Sequence, residues 1–137
     1  MFRTYSQDIL DLFKSAVNGN RKAFKSLMTT EKHPELAAFS NALRGDEKAE
    51  MWIVARGGAE LTLIMKAIDH DEIAFNQLQH RDDKFDISFV LACQNRVEGI
   101  HWLTVNEYSQ FLPICRAIVE TLHTKKKERA FWYKTFH

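Results

Sequence analysis

Six histidines and eighteen acidic residues give this chain material for metal or acid–base chemistry, so their spacing is read first. His70 stands between Asp69 and Asp71, and His80 lies just before Asp82 and Asp83. Imidazole and carboxylate together can hold a metal ion. Sites of that kind, however, show fixed spacings such as HExxH or paired Cys and His, and none occurs here. Acids beside a turn more often cap the next helix, and that reading is preferred for Asp69, Asp71, Asp82 and Asp83. His101 with Glu98 reads as a solvated pair on one helix. No two acids stand isolated on a shared apolar face, and there is neither a glycine-rich phosphate loop nor a Gly-x-Ser-x-Gly elbow. Cys93 and Cys115 sit in apolar helical runs without a CxxC pattern and read as small buried hydrophobes. The spacing therefore names no catalytic residue, and no metal or cofactor is expected.

Other residues suit binding better than reaction. Met51-Trp52 and His101-Trp102 are two pairs, each with a tryptophan, at a helical border, and aromatic anchors with a polar rim are what protein interfaces use. They form the candidate partner-binding patch, against the alternative that both tryptophans fill grooves between units. Lys125, Lys126, Lys127 and Arg129, followed by Trp132 and Lys134, could touch phosphates while an aromatic stacks on a base. The simpler reading is a solvated helix end whose cations complement the dipole. A formal net charge of +1 argues against a generally nucleic-acid-binding surface.

The elements that position these residues come from an internal repeat. Ala16, Ala42, Ala67 and Ala92 lie 26, 25 and 25 residues apart, and the next step of 25 lands on Ala117. Three residues before each stand Phe13, Phe39, Ile64, Phe89 and Ile114; six before stand Leu10, Leu36, Leu61, Asp86 and Phe111. These positions share one helical face, and Asp86 is the single polar residue in them. Three and four residues past the first four anchors come Gly19-Asn20, Gly45-Asp46, His70-Asp71 and Asn95-Arg96, suited to end one helix and cap the next. A small residue follows at seven (Ala23, Ala49, Ala74, Gly99) and an aliphatic one at eleven (Leu27, Ile53, Leu78, Leu103). Each unit is a helix–turn–helix of about 25 residues.

The predicted fold is all-α: stacked helix-turn-helix repeats, a short α-solenoid of about eight to ten helices in one domain, 1–137. Its units cover approximately 6–30, 31–56, 57–81 and 82–105, with a C-terminal capping helix and tail over 106–137. Ser6 should cap the first helix, and Asp82 or Asp83 the helix bearing Phe85 and Phe89. Pro34 suits a helix start, and Pro113 should kink the last helix or mark its effective beginning. The apolar helix 85–95 should be covered on both sides. The tail 131–137 is expected to fold back and close the stack.

The stretch 15–28, with Ala16 and Gly19 ahead of Ala23, Phe24 and Leu27, resembles the helix pair of an ankyrin repeat, and 92–103 is similar, with Arg96 at the usual glycine. The chain has no Thr-Pro-Leu-His-like opening, and a 25-residue period leaves no room for the family's β-hairpin. The resemblance, limited to helix pairs, implies a degenerate ankyrin-like solenoid that recognises another protein. The leading expectation is thus a protein-interaction module (adaptor, inhibitor or effector), not an enzyme. One alternative is a nucleic-acid-associated helical protein using the C-terminal basic segment, and another a small enzyme around His70 or His101. No signal-peptide pattern opens the chain and no apolar run approaches about 20 residues, so no membrane insertion and a cytoplasmic location are expected. Delivery into a host cell without a cleaved signal is compatible with that reading.

Overall fold

A computed structural model describes residues 2–136, the side chains of Trp132, Tyr133, Thr135 and Phe136 excepted. Four helical hairpins follow one another: α1 (Gln7–Val17) with α2 (Arg21–Lys25), α3 (Pro34–Leu43) with α4 (Glu47–Trp52), α5 (Ala59–Ile68) with α6 (Glu72–His80), and α7 (Lys84–Cys93) with α8 (Val97–Val105). A single long helix, α9 (Leu112–Phe136), ends the chain. Among the described residues there is no strand, and no helix is long and apolar enough to cross a membrane. The fold is an all-helical stack of hairpins.

The alanine register survives in three dimensions. Ala16, Ala42, Ala67 and Ala92 are each the penultimate residue of the first helix of a hairpin, and all are buried. Three residues on, Gly19, Gly45, His70 and Asn95 take left-handed φ values of 92, 101, 66 and 60°. The next amide then reaches back to the carbonyl before the anchor: Asn20 to Ser15, Asp46 to Asn41, Asp71 to Lys66 and Arg96 to Leu91, all between 2.9 and 3.1 Å. This is the Schellman closure, which satisfies carbonyls that a helix end would otherwise orphan. Asn20, Asp46 and Asp71 go on to accept hydrogen bonds from the first turn of the following helix, whereas Arg96 has no acceptor to offer.

The second helices of the hairpins differ in how they end. After Leu27 and Ile53 begin to pack, the second helices of the first two hairpins widen into π turns, Ser26–Thr30 and Ile53–Gly57. The left-handed residue that ends the second helix comes sixteen residues past the anchor in these units (Lys32, Gly58) but fifteen in the others (Asp82, Glu107). A π turn takes up one extra residue without shifting the apolar face.

Hydrogen bonds at matching positions tie neighbouring hairpins together. Arg44 donates to the Val17 carbonyl at 3.3 Å, and Gln94 donates to the Ala67 carbonyl at 3.0 Å; each side chain lies two residues past its own anchor. The last helix brings the first and fourth hairpins together. It packs on α7 and on α1, and Thr121 donates to the Val17 carbonyl at 3.3 Å. The column before the anchors (Phe13, Phe39, Ile64, Phe89, Ile114) points inward and is almost wholly buried.

Several end features match expectation and others do not. Ser6 caps α1 and Asp83, not Asp82, caps α7. Pro34 opens α3 and Pro113 lies in the first turn of α9, so both prolines mark starts. α7 is packed on several sides, against α5, α6, α8 and α9. The last helix begins at Leu112 after a short 3-10 turn, Ser109–Phe111, rather than near Asn106. The expectation that the tail folds back is overturned: the backbone continues as helix to Phe136, since 112–130 carries no helix-ending residue after Pro113.

Candidate functional site

The segment before α1 organises the most unusual chemistry in the molecule. Phe2 is buried among rings from α1, α3, α7 and the turn before α9, with centroids 6.2 Å from Phe13, 6.2 Å from Phe39, 4.7 Å from Phe89 and 6.0 Å from Phe111. It plugs the aromatic centre. The segment is then pinned by acids from three different units. The Phe2 amide donates to Glu60 Oε1 at 2.9 Å, Arg3 donates to Asp83 Oδ2 at 2.9 Å, and the Tyr5 hydroxyl donates to Glu35 Oε1 at 2.9 Å. Burial and the Glu35 carboxylate both push the Tyr5 phenol above its ordinary range.

Beneath this strap lies Asp86. It occupies the core column filled elsewhere by Leu10, Leu36, Leu61 and Phe111, and it is 1% exposed. Among the described residues no donor group reaches either of its carboxyl oxygens, so the one hydrogen bond open to it is a proton shared with the Glu60 carboxylate. It stands three residues after the Asp83 cap, where a carboxylate can return a bond to the cap's own amide, yet no such bond is made. Burial raises its pKa to about 8, a hydrogen bond shared with the Glu60 carboxyl and the charges of Glu60 and Asp83 push the same way, and Arg3 opposes them. One oxygen each from Glu60, Asp83 and Asp86 lie within 4.8 Å of one another. Glu60 and Asp83 are only half-buried, in contrast to Asp86.

The sequence reading picks out no pair of acids on an apolar face; the fold supplies one. Asp86 was visible as the exception in its column, but nothing local says that Glu60, 26 residues earlier, would meet it. The residues that the spacing did single out behave as turn chemistry. Asp71 and Asp83 are caps. His70 occupies the left-handed turn with Nδ1 3.4 Å from the Gln94 amide, and His80 Nδ1 meets the Asn76 carbonyl at 2.7 Å. Glu98 pairs with Arg96 at 3.6 Å, not with His101. Cys93 and Cys115 are both buried and free, and they lie side by side in the core, where burial and the neighbouring thiol raise the Cys93 pKa.

The four patch residues fall in two places. Met51 is exposed and Trp52 half-buried on α4; His101 is exposed and Trp102 half-buried on α8, where its ring stacks on Tyr108 at 5.9 Å and 8°. Hairpin α5–α6 stands between the two in chain order and packs on both neighbours. Met51 instead lines an apolar groove of about 420 Å³ with Val54, Met65, Ile68 and Leu122, edged by Glu50, Lys66, Asp69 and Lys125. Met51 and Val54 are 70% and 55% exposed. Leu122 and Lys125 come from α9, a contribution that α4 and α5 alone do not reveal.

The basic segment lies on the distal part of α9. Lys126, Lys127, Arg129 and Lys134 are exposed, whereas Lys125 is half-buried, its Cε 3.5 Å from where a Cβ on Gly45 would be. The Trp132 side chain lies outside the described residues. Compared with protein-family models, curated proteins and solved structures, the chain matches none.

Proposed function

We propose that the chain is a protein-recognition module of the ankyrin-like helical-repeat kind, and that its partner presents an amphipathic helix to the groove of Met51, Val54, Met65 and Leu122. The observation that carries this reading is the exposure of Met51 and Val54 over a cleft whose floor, Leu43 and Ile68, is continuous with the core. Exposed apolar side chains gathered around a concavity suit partner burial better than solvent. Two methionines on opposite walls can repack against more than one side-chain shape. The rim holds two acids and two lysines, which favours a partner with both signs of charge beside its apolar stripe. A cleft between helices is a usual seat for such a segment.

A library of amphipathic peptides displayed on phage and selected on the full chain tests the proposal. Selected peptides should lose at least about tenfold in affinity, roughly 1.4 kcal/mol, on the Met51→Asp and Val54→Asp variants, whose exposed positions leave the melt unchanged. Peptides that bind wild type and both variants alike, or that lose binding only with Trp102→Ala, would place recognition elsewhere.

A further inference from the structure

We propose that Glu60, Asp83 and Asp86 form a site for a hard divalent cation, Ca²⁺ being the best fit, beneath the strap that carries Arg3. The three side chains bring three carboxyl groups into a space where Arg3 is the cation paired with them, through Asp83. An ion that displaced the Asp86 proton would meet two negative charges beyond the one that Arg3 balances, the charge of one divalent cation.

The donor set is carboxylate oxygen throughout, without the nitrogen or sulfur ligands that draw zinc or copper. Oxygens on opposite sides of a calcium ion stand about 4.6–5.2 Å apart, and irregular geometry is tolerated, whereas magnesium demands a tighter and near-octahedral shell. Three oxygens within 4.8 Å of one another fit inside the calcium span. Acidic clusters at helix ends are common without an ion, because carboxylates there answer the helix dipole. Asp86 separates this case from those. Its side chain is buried in a core column, no donor group reaches either oxygen among the described residues, and one of them belongs to the cluster. Ionising a buried carboxyl is costly, and an ion that displaced its proton would offset that cost.

The remaining acceptors also have a consistent disposition. Asp83 Oδ1 is committed to the Phe85 and Asp86 amides, and Oδ2 to Arg3; Glu60 Oε1 accepts from the Phe2 amide. An ion would therefore take Asp86 and the second Glu60 oxygen, and would compete with Arg3 for Asp83 Oδ2. The site is built against an internal rival cation, so removing that rival should strengthen it.

The test uses the full chain stripped with chelator and titrated with CaCl₂, with MgCl₂ in parallel, by calorimetry and by thermal melting. One ion per chain is expected, with a melting temperature raised by about 4 °C or more at saturation. Asp86→Asn and Glu60→Gln, both close in shape to wild type, should each weaken Ca²⁺ binding at least tenfold. Arg3→Gln should tighten it severalfold, an effect that loss of a merely structural ion pair would not produce. Absence of heat and of any melt shift up to about 10 mM CaCl₂, beyond the weakest class of protein calcium site, overturns the proposal. So does an unchanged affinity in both carboxamide variants, and a response to Mg²⁺ alone overturns the calcium assignment.

Discussion

A methyl group on Gly99 would stand 2.3 Å from the carbonyl oxygen of Ser88 and 2.5 Å from the Ala92 amide nitrogen. The first turn of α8 is pressed directly onto the backbone of α7 at that point. In the other three hairpins the same column holds Ala23, Ala49 and Ala74, all buried, so alanine is the rule and glycine the exception. Gly99→Ala, conservative by the repeat's own pattern, should force α7 and α8 apart. A loss of about 1–3 kcal/mol is expected in urea unfolding, with the exposed Gly58 position unsuitable as a control because its φ is 90°. An unchanged midpoint would mean that the fourth hairpin is no tighter than the rest.

Arg96 offers the opposite test. It occupies the cap position of α8 with extended backbone (φ −89°, ψ 130°), where Asn20, Asp46 and Asp71 each accept a first-turn amide. Its ion pair with Glu98 is 3.6 Å long and well exposed, worth little in water. Arg96→Asn should raise stability by about 0.5–1 kcal/mol, read as a shift of the denaturation midpoint without a change of slope.

Asp86 makes stability depend on pH in the metal-free protein. Unfolded, its carboxyl releases its proton near pH 3.9; folded, it holds the proton to about 8 because burial, Glu60 and Asp83 outweigh Arg3. The folded state therefore binds the extra proton between those limits. Its contribution is whole below about pH 4, declines as pH rises, and is gone above about 8, at up to about 1.4 kcal/mol per pH unit. In chelator, Asp86→Asn should flatten this decline and be the more stable protein at pH 8. Parallel curves for the two proteins would remove Asp86 from the account.

The paired thiols give a probe of the core. Cys93 and Cys115 are 1% and 2% exposed, and burial holds the Cys93 thiol in its protonated form. Neither should react with an aromatic disulfide reagent on the timescale of minutes in native buffer, and both should react at once in denaturant. Rapid native labelling of one thiol would show that α7 and α9 part locally.

The hairpins were legible because their signals are local. Helical periodicity, a left-handed turn residue and a capping acid all fall within about a dozen residues, and the Ala16-to-Ala92 register reports them directly. The π turns were not, since Ser26–Thr30 and Ile53–Gly57 read as ordinary amphipathic helix and differ only by one residue of phase. The strap was illegible for another reason. Phe2, Arg3 and Tyr5 take their partners from Glu60, Asp83 and Glu35, 58, 80 and 30 residues away, and no pattern of period 25 encodes them. The same holds for the groove: Met51 was singled out, but its neighbours Met65 and Leu122 belong to later elements.

An open-ended tandem array can lose a terminal unit and keep the rest, because each member leans only on the next. With α9 seated on both α1 and α7, the first and fourth hairpins share one neighbour and neither is terminal in that sense. The bond from Thr121 to Val17 spans 104 residues, so the final assembly step waits on nearly the whole polypeptide. Unfolding should accordingly be all-or-none rather than progressive, and deleting α9 should leave not a shorter array but an unfolded chain.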